Sequence, residues 1–322
     1  MNVGIIGAGH IAGKIARTLE RTEGVNAIAI GSRGQEKAEA FAKEYRIPRA
    51  YGSYSALLDD PEIDLVYIAT PHSHHFEPTM EAISKGKACL VEKAFMANAR
   101  ETKAVLDQAK EKGVFVAEAI WTRYQPARDI INRLISYGKL GSVRMINATL
   151  SHGVMHLPRI TRPELCGGTL LDIGLYPLNF VRMVSDNPIE KIESQCVVSD
   201  EGVDISETIS LTLEGGILAT IQSSVCCEGF NTASIAGTKG TIVIDNTNNP
   251  QLIRIFAKGG KLVEEITVPE SISGYEYEFL ACKDAMEKGL IEPPQMPHSE
   301  TLFLMELMDS LRHQWGVRYP MD

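Results

Sequence analysis

Hydrophobic positions in the first third of the chain come as short runs separated by helical stripes. The opening run, Asn2-Val3-Gly4-Ile5-Ile6, is followed by Ile11, Ile15 and Leu19 at helical spacing. Val25–Gly31 is a second run, and Gln35–Tyr45 then sets Ala38, Phe41 and Ala42 on one helical face. Runs at Ile63–Ala69, Ala88–Val91 and Val114–Ala117 alternate with helical patterns over Phe76–Lys85 and Ala99–Lys112. This alternation predicts βαβ units, hence a parallel Rossmann-type sheet covered on both faces, with its ligand crevice at the carboxyl ends of the strands.

Beyond residue 120 the period changes. A helix over Ala127–Tyr137 stops at Gly138, and alternation of period two takes over in Ser142–His152, Glu193–Ser199, Glu207–Leu213, Ile217–Val225, Ser234–Ala236, Thr241–Asp245, Leu252–Phe256 and Lys261–Val268. Glu214-Gly215-Gly216 and Gly237-Thr238-Lys239-Gly240 are turn signals between these strands. Helical patterns recur at Gly168–Met183, Tyr275–Lys288 and Glu300–Trp315. The expected architecture is an α/β dinucleotide-binding domain, residues 1–119, followed by an α+β domain, residues 120–322, for substrate binding and dimerisation. The second domain's large, mostly antiparallel open sheet would carry helices on one face and offer the other to a second copy.

Composition narrows the partners. A net charge of −9 over 322 residues argues against a nucleic-acid surface, which needs a basic stripe. No run is apolar enough to cross a bilayer, and the first apolar stretch lacks the basic start of a secretory signal. The six cysteines form no Cys-x-x-Cys pair, which reads as reduced thiols in a cytoplasmic protein.

The strand-to-helix turn Gly7-Ala8-Gly9-His10-Ile11-Ala12 is a dinucleotide fingerprint with Ala12 in the third small position. Gly7 allows the tight turn, and Gly9 leaves room for a pyrophosphate. The helix that opens with His10 and Ile11 points its unpaired N–H groups at that charge. The second strand ends in Gly31-Ser32-Arg33-Gly34, with no carboxylate for a ribose 2′-hydroxyl. Ser32 and Arg33 suit a 2′-phosphate, which selects NADP, with NAD as the alternative. Thr70, Pro71, His72 and His75 sit in the next crevice loop and are expected to line the cofactor. The three histidines in residues 72–75 bring no Cys or carboxylate at ligand spacing, so no metal is assigned. Glu92-Lys93 closes the fifth strand at the crevice, where an ammonium can hold a substrate oxygen or lower the pKa of a neighbouring acid. In Gly167–Pro177, Asp172 and Tyr176 are four apart and share one face if the stretch is helical. His152 and His156 lie in a loop that, with Arg159, reads as a wall of the substrate pocket.

Together the fingerprint, Ala69-Thr70-Pro71, Glu92-Lys93, Glu118-Ala119-Ile120-Trp121-Thr122-Arg123-Tyr124 and Gly167-Gly168-Thr169-Leu170-Leu171-Asp172-Ile173-Gly174-Leu175-Tyr176-Pro177 resemble the glucose–fructose oxidoreductase / inositol dehydrogenase (Gfo/Idh/MocA) family. Within it they are similar to the branch of dimeric dihydrodiol dehydrogenases and NADP-dependent D-xylose dehydrogenases. The resemblance implies hydride transfer between nicotinamide and a CH–OH or C=O carbon of a sugar, cyclitol or vicinal diol. It implies Lys93 and Tyr176 as proton-handling groups with Asp172 in support, and Trp121 and Arg123 at the nicotinamide end. It also implies a homodimer through the second sheet. The family's usual Glu-Lys-Pro reads Glu-Lys-Ala here, so the Lys93–Ala94 peptide is expected to be trans. A non-catalytic NADP-binding sensor, and a glycosidase or lyase that recycles its nicotinamide internally, are the rival readings.

Overall fold

The computed structural model describes residues 1–322. Strands β1 (Asn2–Ile6), β2 (Asn26–Gly31), β3 (Arg49–Tyr51), β4 (Leu65–Ile68), β5 (Ala88–Glu92) and β6 (Val116–Ala119) form one parallel sheet in the order β3-β2-β1-β4-β5-β6. Helices α1 (His10–Leu19), α2 (Gln35–Tyr45), α3 (Tyr54–Leu58), α4 (Phe76–Ser84) and α5 (Ala99–Lys112) make the crossovers. Alternate residues of each strand feed two separate cores: Val3, Ile5, Ile30, Leu65, Tyr67 and Leu90 on one face, and Ile6, Ala29, Val66, Ile68, Cys89 and Val91 on the other. That two-sided demand makes the strand runs almost continuously apolar. Asn98 caps α5 by accepting from the Glu101 N–H at 2.9 Å, and Gly113, at φ +64°, ends it in the left-handed conformation. β3 and α3 carry too few residues to show a period, and the sequence pattern gave no sign of them.

The other sheet holds β7 (Val143–Ser151), β8 (Ile189–Val198), β9 (Asp204–Leu213), β10 (Ile217–Ser224), β11 (Ala233–Gly237), β12 (Gly240–Ile244), β13 (Leu252–Ala257) and β14 (Leu262–Thr267), in the order β14-β13-β12-β11-β7-β10-β9-β8. Every neighbouring pair is antiparallel except β7 with β10. The helices here are α6 (Pro126–Ser136), the short α7 (Pro158–Thr161) and α8 (Leu175–Val184), the last entered through a π-helical turn at Leu170–Gly174. Along β10, Ile217, Ala219, Ile221 and Ser223 face inward while Leu218, Thr220 and Gln222 are exposed. This is the alternation expected of a sheet with helices on one face.

The compact units do not follow a single cut at residue 119. One comprises Met1–Tyr124, Ser271–Glu306 and Met321–Asp322; the other comprises Gln125–Glu270 and Leu307–Pro320. α9 (Glu276–Glu287) therefore belongs with the parallel sheet, where Phe279, Cys282 and Ala285 complete the first core. α10 (His298–Trp315) changes unit between Glu306 and Leu307. Apolar periodicity reports that a helix is buried, not which sheet it covers.

Candidate functional site

The first unit builds a dinucleotide cradle from backbone. Gly7 sits at φ +101°, and a Cβ there would stand 2.7 Å from the Ala69 carbonyl oxygen, so both conformation and space demand glycine. Gly9 opens α1 without a side-chain cap, and nothing lies within 4 Å of where its Cβ would be. The exposed His10 and half-buried Ile11 follow, with the first N–H groups of the helix. Open space over a glycine at an uncapped helix N-terminus fits a pyrophosphate. At the end of β2, Ser32 is buried and Arg33 exposed, its cation close enough to act on the Tyr54 phenol.

The crevice loop holds a correction. His75 does not face the crevice. Its ring is fully buried, with Nε2 2.8 Å from the Thr70 carbonyl and Nδ1 3.1 Å from the carbonyls of both Ala94 and Phe95. Burial pushes the ring's pKa down against the pull of those carbonyls. Thr70, Pro71 and His72 keep accessible surface, and the Thr70 hydroxyl donates to the His74 carbonyl at 2.9 Å. His75 thus joins this loop to the Lys93 segment and would serve a cofactor only by positioning both.

The Lys93–Ala94 peptide is cis, not trans as expected from alanine in place of proline. The general preference is overridden where neighbours dictate the local path: Ala94, Phe95 and Met96 are fully buried, and two of their carbonyls are taken by His75. Lys93 itself is half-buried, and its backbone N–H donates to the Glu92 carboxylate at 3.1 Å. The Tyr67 hydroxyl also donates to Glu92. Nearby Glu278, on α9, is fully buried with neither carboxyl oxygen hydrogen-bonded. Burial and the Glu92 charge together hold its pKa far above the usual range.

Trp121 and Arg123 divide. The Trp121 ring stacks on Tyr275, centroids 4.3 Å apart and planes 7° from parallel, with the Lys14 ammonium over the other aromatic at 4.8 Å from the Tyr275 centroid. Arg123 is buried and ion-paired with Glu300 at 3.0 Å, which makes it part of the packing that holds α10. Glu118, beside it, is buried, and its pKa is pushed up to about 7 by burial, against the Thr301 hydrogen bond and the Arg123 charge. Sequence reasoning missed Tyr275 and Glu278. Nothing in the second-unit pattern of Gln125–Glu270 before them signals a return to the first sheet.

In the second unit the stretch with Asp172 and Tyr176 is helical, but not uniformly. Residues 170–174 form a π turn, so Asp172 lies in a wider coil than Tyr176, which sits in α8. Both are buried. Asp172 pairs with Arg159, whose side chain is half exposed, and this ties the 152–159 loop to the π turn. His152 instead faces Glu228 at 3.3 Å, so the two histidines of that loop do not act as a pair.

The chain thus combines a glycine-turned parallel sheet with a helix-covered antiparallel one, and carries an acid and a phenol on one buried segment of the second. Residues 1–119 match the family described as oxidoreductases with an NAD-binding Rossmann fold, GFO/IDH/MocA, and residues 130–243 match that family's C-terminal domain. The chain belongs to this family. Among its relatives is a trans-1,2-dihydrobenzene-1,2-diol dehydrogenase of Mus musculus, 32% identical, with 99% of this chain and 98% of the relative covered. Another, of the same name from Danio rerio, is 34% identical over the same shares. An aldose–aldose oxidoreductase from Caulobacter crescentus, solved with glycerol, shares the fold at TM-score 0.87 and 22% identity, covering 98% of each chain. A 3-ketoreductase from Actinomadura kijaniata, solved with NADP and TDP-benzene, does so at TM-score 0.85 and 22% identity, covering 97% of each chain.

Proposed function

We propose that this oxidoreductase is an NADP(H)-dependent dehydrogenase acting on a CH–OH or C=O carbon of a sugar, cyclitol or vicinal diol. The nicotinamide supplies the hydride chemistry; the protein supplies position and proton. The reading is carried by the presence in one chain of a phosphate-ready cradle, in the first unit, and a buried phenol, Tyr176, one helical turn from the ion-paired Asp172, in the second. Full-length similarity to diol dehydrogenases supports the substrate class.

Gly7, Gly9, His10 and Ile11 receive the pyrophosphate. Ser32 and Arg33 take the 2′-phosphate, and the absence of a carboxylate there favours NADP over NAD. Thr70, Pro71, His72, Glu92, Lys93 and Trp121 line the remainder, with His75 holding their loops. Tyr176 exchanges a proton with the substrate oxygen. An unperturbed phenol, with a pKa near 10, is too weak an acid for this at neutral pH, so the reading requires positive charge beside it in the reacting complex. Asp172 orients a substrate hydroxyl. A homodimer through the uncovered sheet face is part of the reading: Met145 and Leu218 are register partners there, 50% and 54% exposed. A cytoplasmic location agrees with six cysteines that form no disulfide.

The test is a panel of aldoses, inositols and vicinal diols, trans-1,2-dihydrobenzene-1,2-diol among them, with NADP⁺ and separately with NAD⁺. The reduced-nicotinamide absorbance band is followed. Faster reduction of NADP⁺ by one substrate class is expected. Tight NADP binding without turnover in either direction would overturn the assignment in favour of a sensor or a redox-neutral enzyme.

A further inference from the structure

Beneath the segment that carries Asp172 and Tyr176 lie two buried carboxyl groups that the proposed chemistry does not use. Asp204 and Glu207 stand on β9, 0% and 5% exposed. Asp204 Oδ2 accepts from the Leu170 N–H at 2.6 Å, at the opening of the π turn. Such N–H groups have no partner within a helix, and a carboxylate is a strong one. Oδ1 of the same side chain lies where a Cβ of Gly168 would be, and Gly168 is held at φ +119°. At the other end of the π turn, a Cβ on Gly174 would run into Oε1 of Glu207. Neither Glu207 oxygen has a hydrogen-bond partner, and Ser223, its register neighbour on β10, has an unpartnered buried hydroxyl as well.

Packing alone does not explain this arrangement. Asp204 has backbone N–H donors and the Arg312 charge to favour its ionised form, but Glu207 has neither a cation nor a donor. The two carboxyls meet the two ends of one irregular turn, and glycine is present at each point of contact. Burial pushes the Asp204 carboxyl up to about 6, against the Leu170 and Thr169 N–H groups, and pushes Glu207 much higher, with Asp204 adding to it.

We propose that Asp204 and Glu207 are positioning residues: Asp204 anchors the start of the π turn and Glu207 sets how closely its end approaches the sheet, so that together they aim Asp172 and Tyr176. The proposal rests on the dehydrogenase reading above. Small displacements of reacting groups cost rate steeply, so mis-aiming reads out in kcat.

The first experiment uses the full-length protein, trans-1,2-dihydrobenzene-1,2-diol and NADP⁺. Asp204→Ala is expected to lower kcat by at least about tenfold with little change in KM or in NADP affinity, whereas Asp204→Asn, which retains an acceptor oxygen, recovers most of the rate. Because Asp204→Ala can fail to fold, a second pair probes the other contact. Gly174→Ala adds a methyl against Glu207 and should lose about tenfold in kcat; Gly174→Ala/Glu207→Ala removes the obstruction and should restore it.

A substrate-independent readout separates failure of this inference from failure of the dehydrogenase reading. The tyrosinate absorbance assigned to Tyr176, by difference from Tyr176→Phe, should change its titration midpoint in Asp204→Ala and in Gly174→Ala, and return in Asp204→Asn and in the double variant. Loss of one charge alone would shift Asp204→Asn as much as Asp204→Ala. Equal midpoints in all variants, equal shifts in the two Asp204 variants, or no rescue by the double variant would overturn the proposal. An inactive wild type with the expected titration pattern would instead fault the choice of reaction.

Discussion

Gly9 in the first unit and Gly168 and Gly174 in the second serve different ends. In the first, glycine makes room for something from outside: no atom of the chain lies within 4 Å of a would-be Gly9 Cβ. In the second, glycine makes room for the protein itself, since Gly168 and Gly174 admit the carboxyls of Asp204 and Glu207. The first unit offers exposed or half-buried groups such as Arg33, Thr70 and Lys93, while the second keeps Asp172 and Tyr176 buried on a helix. The contrast fits a division of labour in which one unit receives a large anionic cofactor and the other holds a reacting group still.

The sharpest way to break that division is to remove the groups proposed to handle the proton. Tyr176→Phe should lower kcat by roughly 10²–10⁴-fold while leaving NADP affinity within about threefold. Lys93→Met should lose a similar rate and also weaken NADP. Equal loss of affinity in Tyr176→Phe, measured by cofactor fluorescence titration, would put the phenol in the cradle instead. Next in size is a pair of glycine replacements. Gly9→Ala should weaken NADP binding by about tenfold or more with an unchanged melting temperature, because it fills only the ligand's space. Gly7→Ala should lower the melting temperature as well, since it forces alanine to φ +101° against a backbone oxygen. Arg33→Ala should cut the preference for NADP over NAD by roughly 10- to 100-fold, as expected for losing a charged hydrogen bond, with NAD-dependent turnover retained.

The last prediction concerns stability alone. Glu118 titrates near 7 when folded, against an ordinary value of 4.5, so the unfolded chain releases this proton first as pH rises. The stability this group contributes is full below pH 4.5 and lost as pH rises through about 7. Glu118→Gln lacks that loss and can still accept from Thr301. It should gain on the wild type between pH 5 and pH 8, by on the order of 3 kcal/mol at most, read as a melting-temperature difference that widens with pH. A difference independent of pH would assign the charge elsewhere.

Much of this was legible in the sequence, for physical reasons. Long elements with a consistent period, such as Gln35–Tyr45 and Ala99–Lys112, form the helices their patterns predict. The fingerprint glycines state backbone requirements that hold whatever the surroundings. What stayed hidden depended on partners distant in sequence. His75 reads as a crevice residue until Ala94 and Phe95 fold back over it, and the Arg123–Glu300 ion pair joins residues 177 positions apart. The π turn at Leu170–Gly174 has no signature of its own, because Asp204, the residue that anchors its start, lies 34 positions further along the chain.

The single ring of His75 has a consequence for anyone re-engineering this protein. One imidazole fastens the 70-loop and the 94–95 segment at the same point, so neither loop is an independent module. A graft that imports only one of them from a relative inherits a staple with half its attachment sites. Transplanted cofactor preferences should travel as a block, with the histidine and both loops together.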